Sequence, residues 1–274
     1  TTLSYQGNTQ RTVTNSLGKQ TIYTIGRRHG RDRVVGVEGV ATADCLGTTK
    51  SIDYTPVPSS AAEGYVYERT ERNGAIIEFE RDARGLITKK TENANATAPD
   101  VPRITTREWH PTLRLPTKIT TSQMEERFIY DANGLLLSYE QEDVLTTSPS
   151  VGEVRTWTYT YETLASGLKV LATVDGPGLA AANVFDITDY DYDANGILRK
   201  ITNEVGQVTE IIDLNDLGQP ARFIQPTGVA IDLDYDFRGR LVQMTVEHPT
   251  TNYTTQFAYD AVGQMTGMTL PSGA

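Results

Sequence analysis

Cysteine is almost missing from this sequence: Cys45 is the only one in 274 residues. A single thiol can build neither an internal disulfide framework nor a multi-cysteine metal site. Histidine is nearly as scarce, with His29, His110 and His248 alone, and none has a cysteine or a second histidine at zinc-ligand spacing. Positive charge is in deficit, since 25 Lys and Arg stand against 35 Asp and Glu for a net charge of −10. That balance argues against nucleic acid or an anionic membrane surface as partner. No apolar run approaches the roughly 18 residues of a membrane helix, so no membrane insertion by this segment is expected. The first residues, TTLSYQGNTQ, lack the basic start and the apolar core of a signal peptide. Also absent are a G-x-S-x-G elbow, a P-loop and a G-x-G-x-x-G turn after a strand. The expectation is a protein that is not an enzyme, with no catalytic, cofactor-binding or metal-binding residue to assign and no cofactor.

What is present is tyrosine and repetition. Fourteen Tyr outnumber 6 Phe and 2 Trp, a bias that suits half-exposed strand faces where the ring packs and the hydroxyl stays wet. Hydrophobic residues at 38% and charged residues at 22% argue against disorder throughout. YDANGIL begins at Tyr192, LNDLGQP at Leu214, YDFRGRL at Tyr235 and YDAVGQM at Tyr259, in steps of 22, 21 and 24 residues. Upstream copies are RDARGLI from Arg81, WHPTLRL from Trp109 and YDANGLL from Tyr130, with Tyr161 in YETLASGLKV read as a further copy with a longer loop. A second glycine motif falls half a repeat later, in TNEVGQVT (202–209) and TNSLGKQT (14–21), and more loosely in TERNGAII (70–77) and QPTGVAI (225–231). A shared period for two interleaved motifs marks a repeat architecture.

Turn chemistry explains the letters. In Asp193-Ala194-Asn195-Gly196 the aspartate can accept backbone N–H groups, and glycine can take the left-handed conformation at the fourth position. Such a sequence suits a three-residue hairpin loop with a glycine bulge. Flanks such as ILRKITN and RLVQMTV alternate as strands do, and no helix of ordinary length is evident. The fold class expected is therefore all-β, tandem β-hairpins in a long twisted sheet. The whole of 1–274 is read as one repeat region, degenerate over 1–69 and clearer over 70–274. Stretches 54–64, 93–102, 144–152 and 175–184 read as elongated hairpin loops.

DYDYDANGIL (189–198) matches the first half of a calcium loop at Asp191, Asp193, Asn195 and Gly196. A full loop needs a bidentate Glu at its twelfth position, where this chain has Thr202, and flanking helices where strands are expected. Ile129 and Arg238 interrupt the equivalent stretches of sister copies. The acids of Asp189, Asp191 and Asp193, like those of Asp232, Asp234 and Asp236, are expected on one strand face, opposite Tyr190, Tyr192, Leu233 and Tyr235. That face reads as solvated, with a lining for a cation or a basic passenger as the sharper alternative. Arg27-Arg28-His29-Gly30-Arg31-Asp32-Arg33 is the one basic cluster, read as an exposed hairpin tip or as a site for a phosphate or an acidic partner. His110 stands where other copies carry the turn aspartate, and His248 lies in a turn. Asn95-Ala96-Thr97 and Asn252-Tyr253-Thr254 match the glycosylation triplet.

The Y-D-x-x-G-x-L motif followed by T-N-x-x-G resembles the YD repeat of bacterial Rhs proteins, and TREWHPTLRLPTKIT (106–120) is similar to the Rhs arrays of Gram-negative bacteria. The likeness covers nearly the whole chain and is weakest over 40–65. It implies a polymorphic toxin, with similar repeats in the C component of insecticidal Tc toxin complexes and in teneurins. It further implies a sheet spiralling into a hollow shell around a C-terminal toxin domain, which is delivered to competitor or host cells. The implied partners are the rest of the shell and the enclosed toxin domain of the same parent chain, with a secretion apparatus or a cell-surface glycan beyond them. The implied location is secreted or at the bacterial cell surface. The family's self-cleaving D-P-x-G-type signature is not matched, because no Asp-Pro pair occurs, and both ends read as cuts through a longer array. The rival readings are a carbohydrate-binding module and a calcium-stabilised β-roll. Open sheet edges would favour dimerisation or aggregation of the piece.

Overall fold

The computed structural model describes residues 1–28, 30–41, 48–53, 64–97, 99–178 and 186–271. Cys45, His29 and most of the stretches 54–64 and 175–184 therefore lie outside the described residues. Among the described residues every regular element is a strand. The chain divides into two compact units, Thr1–Arg155 and Thr156–Ala274.

In the first unit the strands are β1 (Thr2–Gln6), β2 (Gln10–Thr14), β3 (Gln20–Arg28), β4 (Arg31–Gly39), β5 (Thr48–Asp53) and β6 (Glu68–Thr70). They continue as β7 (Ile76–Arg81), β8 (Ile87–Glu92), β9 (Arg103–Trp109), β10 (Pro116–Thr120), β11 (Met124–Tyr130) and β12 (Leu136–Asp143). The second unit holds β13 (Val154–Thr163, less its first two residues), β14 (Lys169–Asp175), β15 (Ile187–Tyr192), β16 (Leu198–Thr202) and β17 (Val208–Leu214). It ends with β18 (Pro220–Ile224), β19 (Ala230–Tyr235), β20 (Leu241–Val246), β21 (Tyr253–Tyr259) and β22 (Met265–Thr269). Within each unit, consecutive strands pair antiparallel, so each unit is a meander of hairpins. The all-β, tandem-hairpin expectation holds.

The repeat turns are built as their letters suggest. Asp193 N–H donates to the Ile197 carbonyl at 2.9 Å, and Gly196 N–H donates to the Asp193 carbonyl at 2.9 Å. Gly196 sits at φ 82°, and pairing resumes past the turn at Tyr192 and Leu198 after a register shift. This is a three-residue loop with a glycine bulge. Tyr161 departs from expectation: its copy has the same short loop, in which Leu164 N–H donates to the Leu168 carbonyl at 2.9 Å and Gly167 N–H to the Leu164 carbonyl at 2.8 Å. The additional residues lengthen β13 past Tyr161 instead of lengthening the loop.

Alternation sets two unlike faces on each meander. In the second unit Tyr190 lies opposite Ile201, Phe223 opposite Ile231, and Leu233 opposite Met244. On the other face Asp191 lies opposite Lys200, Lys200 opposite Glu210, and Arg222 opposite Asp232. Burial is shallow. Only Ile77 and Leu86 in the first unit, and Val170, Ala230 and Ile231 in the second, are buried apolar side chains among the described residues. A hairpin layer this thin gains its stability from neighbour-to-neighbour contacts and not from a central core.

The glycine at the turn answers two demands at Gly196, because Leu168 of the preceding hairpin occupies the space a Cβ would need. Gly206, at φ 77°, has open space around it and answers only to backbone conformation. Gly206→Ala should cost about 1–2 kcal/mol for the left-handed backbone, and Gly196→Ala distinctly more. Urea denaturation of the two variants measures the difference, and equal losses would remove the role given to Leu168.

Candidate functional site: the stitched turn edge

The chemistry that recurs in this chain is concentrated at the strand ends that carry the YD turns. One side-chain acceptor organises most of these turns. Asp193 Oδ1 accepts the N–H of Asn195 at 2.9 Å and of Ile197 at 3.0 Å. Asp82, Asp131, Asp236 and Asp260 do the same for the residues two and four places on. At Asn215 an amide oxygen takes the carboxylate's place, and Asn15 builds the same turn in the second glycine motif, at the opposite strand ends. His110, set where the aspartate would stand, accepts N–H groups of Thr112 (3.3 Å) and Leu113 (3.1 Å) at Nδ1, as a ring with its proton on Nε2 can. His248 Nδ1 accepts Thr250 N–H in the same manner. Both histidines are turn caps.

The tyrosine before the aspartate performs a second task. Tyr130 Oη donates to the Pro116 carbonyl at 3.0 Å, Tyr235 Oη to Pro220 at 2.9 Å, and Tyr259 Oη to Leu241 at 2.9 Å. Each bond joins the first strand of one hairpin to the second strand of the hairpin before it. Those two strands are connected covalently only at their far ends, so the hydroxyl closes the near end. At two of the copies in which the tyrosine is replaced, other chemistry makes the bond. Trp109 Nε1 donates to the Ile87 carbonyl at 2.9 Å, and Arg81 Nη2 to Val66 at 3.4 Å. The Arg81 guanidinium lies over the rings of Tyr65 and Phe79, and its desolvation lowers its pKa.

Turn side chains add further stitches. Arg84 Nη1 donates to the carbonyls of His110 (2.7 Å) and Pro111 (2.9 Å), while its Nε holds Asp82. Gln219 reaches the Gly239 carbonyl at 3.0 Å, Arg238 reaches Ala261 at 2.9 Å, and Arg240 reaches Asp260 at 3.3 Å. At the opposite strand ends Asn95 Nδ2 donates to the Gly74 carbonyl and its Oδ1 accepts Ile76 N–H. The amide of that glycosylation triplet is thus already committed to a structural bond.

The acidic strand faces carry partners. Lys200 meets Asp191 at 3.2 Å, and Arg222 Nη1 bridges Asp232 (2.6 Å) and Glu247 (2.9 Å), which raises the Arg222 pKa. In the first unit Arg127 bonds Glu142 and lies 3.5 Å from Glu140, and Lys118 bonds Glu125 at 2.8 Å. Asp193 of the calcium-like stretch is occupied by its own turn and by Arg199. Among the described residues no three His, Cys, Asp or Glu group into a metal-binding cluster. Two concavities in the first unit, of about 370 Å³ beside Gln123, Asp143 and Arg155 and about 790 Å³ beside Lys50, Asn93 and Arg103, contain no histidine or cysteine among the described residues. Among the described residues this arrangement joins hairpins.

A scan against family models and a search of curated proteins each found no match. Solved structures are similar in fold. A Tc holotoxin pore from Photorhabdus luminescens matches at TM-score 0.63 and 15% identity over 97% of this chain and 14% of that one. A TcdB2-TccC3 crystal structure matches at 0.61 and 14% identity, over 96% and 15%. The TcdB2-TccC3 form without its hypervariable C-terminal region matches at 0.60 and 14% identity, over 96% and 15%. This chain therefore has the fold of a segment of those Tc toxin chains and spans about one seventh of their length.

Two measurements bear on the edge. Tyr130→Phe keeps the ring and removes the donor, so it should lower stability by about 0.5–1.5 kcal/mol in urea denaturation; an unchanged midpoint would show the hydroxyl bond to be idle. The second is acid sensitivity. Backbone N–H of Ile197 chiefly holds the Asp193 carboxyl below its usual value, and Arg240 chiefly holds down Asp236. Lys118 does so for Glu125, and Arg222 for Glu247. A depressed carboxyl contributes fully above its unfolded value, near about 4, and loses that contribution as pH falls through the folded value. Melting temperature should stay level from about pH 8 to 5 and fall below about 4.

Proposed function

We propose that this chain is a wall segment of an Rhs-type, YD-repeat shell that encloses a toxin domain of its own parent chain for delivery to other cells. The observation that carries the reading is the stitched edge. Five hairpins are each tied to the previous one by a hydroxyl, indole or guanidinium bond to a backbone carbonyl, a device that joins hairpins without a deep core. Likeness in fold to Tc toxin chains over almost the full length of this one supports it. The mechanism is steric: the sheet excludes proteases and solvent partners from what lies behind it, and the chain itself performs no reaction. Export in a larger protein, to the medium or the bacterial surface, follows from the same reading.

A carbohydrate-binding surface is a second reading, favoured by one cluster. Phe128 stacks with Tyr139 at 5.1 Å and with Tyr130 at 6.4 Å, beside Glu126, which accepts the Tyr139 hydroxyl at 2.6 Å. Aromatic faces next to carboxylates suit sugar rings. Glycan titration followed by tyrosine fluorescence separates the two readings.

The deciding experiment uses the parent chain, purified by size exclusion and then denatured and weighed by mass spectrometry. Enclosure predicts a released C-terminal fragment that co-elutes with the repeats and separates only on denaturation. One uncut chain with a protease-accessible C-terminal part would overturn it.

A further inference from the structure

One guanidinium of the first unit shares a sheet face with the aromatic cluster and has no acid opposite it. Ile119 of β10 lies directly opposite Arg107 of β9 on one side and Glu126 of β11 on the other, and Glu126 lies opposite Gln141 of β12. Directly opposed residues share a face, so Arg107, Ile119, Glu126 and Gln141 form one row across four strands. Phe128 and Tyr139, two places along β11 and β12, form the next row of that face and stack at 5.1 Å. Arg107 and Glu126 are two strand spacings apart, about 10 Å, with Ile119 as the floor between them.

Arg107 is half-buried. Other strand arginines of this unit meet carboxylates: Arg69 pairs with Glu71, Arg103 with Glu92, and Arg127 with Glu140. Among the described residues Arg107 has neither a hydrogen bond nor an ion pair, and both strands that flank it, β8 and β10, are described throughout. Taking a guanidinium partly out of water without a counter-charge is unfavourable. An acid on the neighbouring strand would neutralise it, as Glu125 neutralises Lys118 on the other face. A ligand that brings its own carboxylate accounts for an isoleucine in that place.

We propose that this row binds a carboxylate-bearing sugar, with the acid on Arg107 and the ring over Ile119 beside Phe128. The proposal rests on the carbohydrate reading of the Phe128 cluster and names the class of sugar. A guanidinium fork takes a carboxylate bidentately. On the far side of the floor Glu126 accepts, and Gln141 both accepts and donates, which suits the hydroxyls of a ring held between them. An acidic peptide fits this face less well. β9, β10 and β11 are each paired on both sides, so no strand edge is open to an extended segment and its main chain would find no partners.

The test titrates the full 274-residue chain by calorimetry with three probes: a glucuronate-containing disaccharide, its counterpart with glucose in place of glucuronate, and a short polyaspartate peptide. The acidic sugar should bind at least tenfold tighter than the neutral one. Arg107→Gln should bring the acidic sugar down to the level of the neutral one, and Arg107→Lys should keep only part of the preference. Phe128→Leu should weaken both sugars. Equal binding of the two sugars by the unaltered chain overturns the proposal and leaves the carbohydrate reading standing, whereas binding of neither overturns both. Polyaspartate bound as tightly as the acidic sugar, and lost in Arg107→Gln, would make the row a peptide site. A lower melting temperature in Arg107→Gln would make the arginine structural. Either of these results also overturns the proposal.

Discussion

The three-residue loop closed by two backbone hydrogen bonds, in most copies with a side-chain oxygen accepting two further N–H groups, is the constraint on which this structure depends. It fixes where each strand reverses, and with it the register of the next pairing. At Asp193, Asp236 and Asp260 the oxygen belongs to a carboxylate, at Asn15 and Asn215 to an amide, while at His110 a ring nitrogen substitutes. The aspartate and asparagine turns share one geometry, so a charge is not needed, whereas the His110 turn is one residue longer and closes at Leu115. Register matters more here than in a packed domain. A slip of one residue would move Tyr190 and Leu233 to the face of the aspartates, and the described residues form no deep core to oppose the slip.

With so little burial, cohesion between hairpins has to come from the strand ends. The Tyr130, Tyr235 and Tyr259 hydroxyls supply it at one edge, and the Asn95 amide at the other. Leu168 against Gly196 and Leu217 against Gly239 add apolar contact where one turn leans on the next. The faces between the edges carry cross-strand ion pairs that are worth little singly when half exposed. Their more certain effect is to prevent neighbouring carboxylates from repelling one another along the sheet. Asp191 and Asp232 are thereby absorbed into a ladder of charges, and the resemblance of 189–198 to a calcium loop resolves into a turn with an acidic strand before it.

Most of the fold was legible in the letters because turn chemistry is local. The Asp-x-x-Gly spacing specified loop length, bulge and left-handed glycine, and the two-residue alternation specified the opposed faces. The stitching was not legible for a physical reason: its acceptors are backbone carbonyls, and a carbonyl has no letter. Nothing in YDANGLL says that Tyr130 bonds Pro116, and nothing in RDARGLI says that Arg81 does the tyrosine's work. The length of the Tyr161 copy was misjudged because added residues can lengthen a strand or a loop, and periodicity alone does not distinguish them. His110 was read correctly as a stand-in for the turn acid, since its position in the repeat was enough.

The dependence on backbone acceptors also explains how the fold can be shared with Tc toxin chains at 15% identity. A core of interlocking side chains ties each residue to several others, so substitutions must be matched. Here the donor at the clasp can be phenol, indole or guanidinium, because the acceptor opposite is the same carbonyl whatever residue bears it. The turn acceptor can be acid, amide or imidazole for the same reason. Each repeat is then free to drift in sequence while its hairpin stays in place: the His110 turn has no glycine, and the Leu164 turn has no side-chain acceptor. A sheet made this way constrains its own sequence weakly, because most of its bonds end on backbone atoms that every residue supplies.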